Sequence, residues 1–127
     1  MEKLFIESSK STPKIDFNPR SNTLLIDGQS YPENAFKFYE QIFSWVDKYL
    51  EGLESASQVK IYITLPYINT SSSKSIMVLL DKFDKAFLEG KKVTLTWHYD
   101  LDNDSELECA KEFLEDINMP FNIVACE

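Results

Sequence analysis

Four consecutive hydroxyl residues, Thr70 to Ser73, stand between Asn69 and Lys74, where an alternating apolar stretch gives way to a helix-like pattern. At a helix start such side chains accept hydrogen bonds from the free N–H groups of the first turn. Those N–H groups and the positive end of the helix dipole also favour a phosphate. The stretch therefore reads in two ways, as a cap and as a phosphorylation site. Thr70 is the expected N-cap, its oxygen accepting near Ser73, a contact worth about 1 kcal/mol. A phosphate there would add roughly 1.5 to 2 negative charges, with Lys74 close by. Because the dipole favours that charge, the helix should survive, and a switch at this point should act by altering a binding surface.

Other candidates carry less chemistry. Asp100-Leu101-Asp102-Asn103-Asp104 resembles the opening of a calcium loop, but its sixth position is Ser105 where Gly is needed and its twelfth is Lys111 where Glu is needed. A solvated acidic loop in which Asp104 or Ser105 caps the next helix fits better. His98 is the only histidine, so no paired-histidine metal site is expected, and no serine or cysteine nucleophile is placed to use it. No Gly-rich phosphate loop and no Cys-x-x-Cys occur. No cofactor and no catalysis are expected. The competing readings are a small-molecule enzyme or sensor built on His98, Tyr99 and Asp100, and a passive interaction scaffold.

The elements that must position these residues follow from periodicity. Leu4-Phe5-Ile6 is a short apolar run. Lys14 to Asn18 and Thr23 to Asp27 alternate as strands and read as an antiparallel hairpin across a Pro19-containing turn. Ser30 and Glu33 have capping-box spacing, predicting a helix from there to about Leu50 with Phe36, Tyr39, Phe43, Val46 and Leu50 buried and Gly52 at its exit. Gln58 to Leu65 is the clearest strand, with Val59, Ile61, Ile63 and Leu65 on one face. A second helix with Ile76, Leu79, Leu80, Phe83 and Phe87 inward closes at Gly90. Val93 to His98 is a strand, Leu107, Ala110, Phe113, Leu114 and Ile117 mark a third helix, and Phe121 to Ala125 a last strand. The later alternation implies crossover connections. The expected fold is α/β, one domain over residues 1–127, with a mixed sheet, an N-terminal antiparallel hairpin and three packed helices.

The chain has 127 residues, 43% of them hydrophobic and 13% aromatic, enough for one core without metal or disulfide staples. A net charge of −8 argues against binding nucleic acid or anionic lipid, and so favours a protein partner. Two unpaired cysteines fit a reducing cytoplasm. No apolar run approaches the roughly 18 residues of a membrane span.

Ser11-Thr12-Pro13-Lys14-Ile15, Ser30-Tyr31-Pro32-Glu33-Asn34, Tyr67-Ile68-Asn69-Thr70-Ser71-Ser72-Ser73-Lys74 and Trp97-His98-Tyr99-Asp100 together resemble the SiaC family of bacterial biofilm regulators. The resemblance runs over nearly the whole chain. It implies a STAS-like fold, similar to the antagonists of anti-sigma factors. It further implies a regulator whose matching residue, Thr70, is phosphorylated by a partner kinase and dephosphorylated by a PP2C-type phosphatase, the unphosphorylated form binding and activating a diguanylate cyclase. Tyr67, Asn69, Ser71, Ser72 and Lys74 would then shape the surface that kinase and partner read. The STAS antagonists usually carry Asp-Ser-Ser-Gly where this chain has Asn69-Thr70-Ser71-Ser72, so recognition by their kinases is not implied.

Overall fold

The computed structural model describes residues 1–127 and places the alternating stretches in one six-stranded sheet. β1 (Leu4–Ile6), β2 (Lys14–Asn18) and β3 (Thr23–Asp27) form an antiparallel meander. β4 (Gln58–Thr64), β5 (Lys92–Asp100) and β6 (Phe121–Cys126) extend it in parallel, so that spatial order equals chain order. Each parallel step is bridged by a helix: α1 (Ala35–Glu51), α2 (Thr70–Leu88) and α3 (Asp104–Leu114). The expected mixed sheet with an antiparallel N-terminal hairpin and three helices is observed.

Right-handed crossovers that all advance the same way leave their helices on the same side of the sheet. Strand register agrees with that one-sided covering. Ile26, Ile63 and Trp97 stand in one row and are buried, continued by the half-buried Ile123. In the next row Asp27, Thr64, His98 and Val124 are exposed or half-buried. One face thus carries the core and the other remains open.

Several local expectations are corrected. β5 runs on to Asp100, so the acidic turn starts only at Leu101. β4 stops at Thr64 and the buried Leu65 lies beyond it. α1 begins at Ala35, with Asn34 as N-cap accepting from the Lys37 N–H at 3.1 Å. Its buried residues are Ala35, Tyr39, Ile42, Val46 and Tyr49. Phe36 is 67% exposed, while Phe43 and Leu50 are only half-buried. With Phe36, Phe38, Phe43 and Trp45 distributed around this helix, two apolar faces compete, and the buried one lies about one residue from the face that ring size predicts. In α3 the cap is Asn103, accepting from the Glu106 N–H at 3.2 Å, in place of Asp104 or Ser105. That helix ends at Leu114, leaving Ile117 in the following turn.

Two polar devices hold the connections. Asp84, buried in α2, accepts from the main-chain N–H groups of Asn118 and Met119 and from the Asn118 carboxamide, all within 2.9 Å. It thereby fixes the entry to β6. Asn22 takes φ 55° in the β2–β3 turn, a left-handed conformation that asparagine tolerates, and its Oδ1 accepts from the Tyr49 hydroxyl at 2.6 Å.

Candidate functional site

The hydroxyl stretch lies where β4 passes into α2, at the carboxyl end of the parallel strands. The approach is pinned before the helix begins. Ser30 and Ile68 form a parallel bridge, in which the Ser30 N–H donates to Tyr67 O at 2.8 Å and the Asn69 N–H to Ser30 O at 3.0 Å. Tyr31 and Tyr67 meet edge to face at 5.7 Å, with Tyr67 still 53% exposed.

Asn69, not Thr70, caps α2. Its backbone is extended (φ −83°, ψ 172°) and its Oδ1 accepts from the Ser72 N–H at 2.9 Å. Asparagine caps somewhat better than threonine, and with Asn69 in that role Thr70 becomes the first helical residue. Ser73 donates both its N–H (2.9 Å) and its hydroxyl (3.1 Å) to Asn69 O.

The cap sorts the four hydroxyls. Ser72 is fully buried and accepts from Ser30 Oγ at 2.8 Å, while Ser30 Oγ lies 2.7 Å from the Tyr39 hydroxyl. Burial pushes the Tyr39 phenol up to about 12, partly opposed by its hydrogen bond to Ser30. The trio is therefore uncharged at neutral pH, as a buried polar network should be. Ser73 is half-buried and engaged. Thr70 and Ser71 alone are exposed and free of intramolecular side-chain hydrogen bonds. Lys74 is also exposed, four residues from Thr70 and so on the same side of the helix.

Beside this turn the N-terminal halves of α1 and α2 leave a groove of about 420 Å³ lined by Glu33, Phe36, Phe43, Ser71, Lys74 and Val78, among others. Phe36 and Val78 (44% exposed) give it an apolar floor next to the free hydroxyls. Of the residues expected to form one surface, Tyr67, Asn69, Thr70, Ser71 and Lys74 lie together, whereas the Ser72 side chain is turned into the core.

His98, Tyr99 and Asp100 do not converge. Strand alternation sends His98 and Tyr99 to opposite faces, His98 lies flat against Tyr62 with ring centroids 6.3 Å apart, and Asp100 accepts from the Asp102 N–H. The principal surface pockets are lined by other residues. Sequence reasoning missed Ser30 as the partner of Ser72 and missed the Phe36 groove. No local signal marks the first, and for the second the signal is a phenylalanine two residues after Asn34, a cap at least as good as Ser30.

Residues 6–126 match the sequence pattern described as SiaC family regulatory phosphoprotein. An uncharacterized protein of Pseudomonas aeruginosa strain UCBPP-PA14 is 38% identical over 125 residues, covering 98% of each chain. Among solved structures, apo-SiaC from Pseudomonas aeruginosa superimposes with a TM-score of 0.92 at 38% identity, over 98% of this chain and 100% of that one. The crystal structure of the diguanylate cyclase SiaD in complex with its activator SiaC, from the same organism, contains a chain matching at TM-score 0.91 and 37% identity, over 97% of this chain and 99% of that one.

Proposed function

The chain belongs to the SiaC family of regulatory phosphoproteins, and on that premise we propose that it is a non-catalytic cytoplasmic adaptor switched by phosphorylation of Thr70. The unphosphorylated form binds and activates a diguanylate cyclase, a partner kinase adds the phosphate, and a PP2C-type phosphatase removes it. The observation that carries this reading is the sorting of the hydroxyls. Thr70 is the exposed first residue of α2, outside the capping hydrogen bonds, whereas Ser72 and Ser73 are committed to the fold.

A phosphate on Thr70 would meet the N-terminal dipole and the unpaired Lys74 one turn on, so the helix tolerates it. Its effect falls on the adjoining groove. A partner that buries Phe36 and Val78 would have to desolvate roughly two negative charges at the rim, which costs far more than the helix gains. Tyr67, Asn69, Ser71 and Lys74 frame the acceptor for the kinase, and Ser72 acts from beneath by holding the turn.

Incubation with the cognate kinase and ATP should add one phosphate by intact mass, and Thr70→Ala should add none. The phosphorylated protein should no longer stimulate cyclic di-GMP synthesis by the cognate cyclase. Phosphate that persists in Thr70→Ala, or full stimulation by the phosphorylated form, would sink the assignment.

A further inference from the structure

The charge of this protein is concentrated at one end. Residues 100–127 contain nine Asp and Glu against Lys111 alone, which equals the whole net charge of −8, while the first 99 residues balance twelve acids with twelve Lys and Arg. Asp104, Glu108 and Glu112 recur at helical spacing along the exposed side of α3, continued by Glu115 at its C-cap, opposite the buried Ala110, Phe113 and Leu114.

The same end carries an open sheet edge. β6 is the last strand, paired only with β5. The Leu95 N–H donates to Pro120 O at 3.0 Å and the Leu101 N–H to Cys126 O at 2.9 Å, which fixes the phase of this parallel ladder. Even-numbered residues therefore bond inward, and Phe121, Ile123 and Ala125 each direct an N–H and a C=O away from the sheet. Edges are ordinarily blunted by charge, proline, a bulge or shortness. β1, the opposite edge, is only three residues long and follows Lys3, but β6 has six residues and no charge or proline among them. Phe121 and Val124 are each 39% exposed on its two sides.

We propose that β6 is a docking edge for an extended, Lys- or Arg-bearing segment of a partner protein, which adds a seventh strand there. Main-chain pairing with Phe121, Ile123 and Ala125 supplies the bonds, as in strand addition generally. The acidic end steers a positive segment toward the edge and disfavours an acidic one. A second copy of this chain is the poorer occupant, because pairing β6 with itself would bring two such acidic ends together. This edge is separate from the Thr70 turn, which lies on the β4–α2 connection, so the two surfaces allow two partners at once.

Amide NMR shift mapping and hydrogen exchange on the intact protein, with a library of short peptides alternating Val, Ile or Thr with Lys or Arg, test this. Basic peptides should slow exchange at Phe121, Ile123 and Ala125, and binding should weaken as salt rises. Glu in place of Lys and Arg should abolish binding, and N-methylation of the edge-facing peptide amides should weaken it by more than about tenfold. Ala125→Pro should bind none, and the N-methylated arm stands even where that variant fails to fold. Four results would overturn the proposal: no basic peptide bound, equal binding of acidic ones, shifts mapping elsewhere, or a concentration-dependent dimer of the free protein that protects the β6 amides.

Discussion

Ser30 donates to Ser72 at 2.8 Å across 42 residues of sequence, joining the segment before α1 to the first turn of α2. Tyr39 completes the contact from α1. Replacing Ser30 with alanine leaves the Tyr39 and Ser72 hydroxyls buried and unpaired, at a cost of about 1–3 kcal/mol. Urea unfolding should register that loss. Ser72→Glu should likewise lose cyclase binding together with stability, whereas Thr70→Glu should lose binding alone.

The capping geometry makes a sharper separation. Asn69→Ala removes the acceptor for the Ser72 N–H and should destabilise by about 0.5–2 kcal/mol. Thr70→Ala removes an exposed hydroxyl outside the cap, and its unfolding free energy should stay within about 0.5 kcal/mol of the parent. A loss in Thr70→Ala with none in Asn69→Ala would restore Thr70 as the cap.

Asp84 accepts three hydrogen bonds that hold the turn before β6. Asp84→Ala should therefore destabilise by about 2–4 kcal/mol, since hydrogen bonds to a charged group are the stronger kind and two buried main-chain donors would lose their partner. Amide exchange in Asn118 and Met119 should accelerate before that of β4 and β5. Unchanged stability would remove Asp84 from this role.

The element order, the sheet class and the neighbourhood of Thr70 were legible because period-2 and period-3.6 patterns survive in Val59–Leu65 and Ile76–Phe83. What was lost depended on contacts between distant residues. Nothing near Ser30 signals a hydroxyl 42 positions away. Thr70 and Asn69 are both capping types, and the choice between them is made by the bridge from Ser30 that holds Asn69 extended. Phe36 is aromatic and in phase with Tyr39, which predicts a core position, but Ala35 is the residue buried there and Phe36 turns outward. The edge role of β6 likewise follows from strand order, which local pattern does not encode.

Alkaline pH should unfold the protein through its buried phenols. Burial pushes both Tyr39 and Tyr49 up to about 12. In the unfolded chain they ionise near 10, so above that value the unfolded state binds fewer protons than the folded one and unfolding becomes easier as pH rises. Stability should hold up to about pH 9 and fall between about pH 10 and 12. Tyr39→Phe with Tyr49→Phe should flatten that fall while lowering stability at neutral pH, because Ser30 and Asn22 lose partners. Urea titrations at a series of pH values check the slope, and an unchanged slope in the double variant would assign the effect to other groups.

Phe36 separates folding from recognition most cleanly. At 67% exposure it contributes little to the core, so Phe36→Ser should shift stability by no more than about 0.5 kcal/mol. The groove it shares with Ser71, Lys74 and Val78 begins one residue from Thr70, the proposed acceptor, and a large apolar side chain exposed there is the kind that anchors an interface. Truncating such an anchor typically costs about 2 kcal/mol or more, which is over tenfold in affinity. Phe36→Ser should therefore weaken cyclase binding by more than about tenfold, measured by calorimetry, while its phosphorylation at Thr70 by the kinase still goes to completion. Undiminished cyclase affinity would move the partner surface off this groove and leave Thr70 to act through a different face of α2.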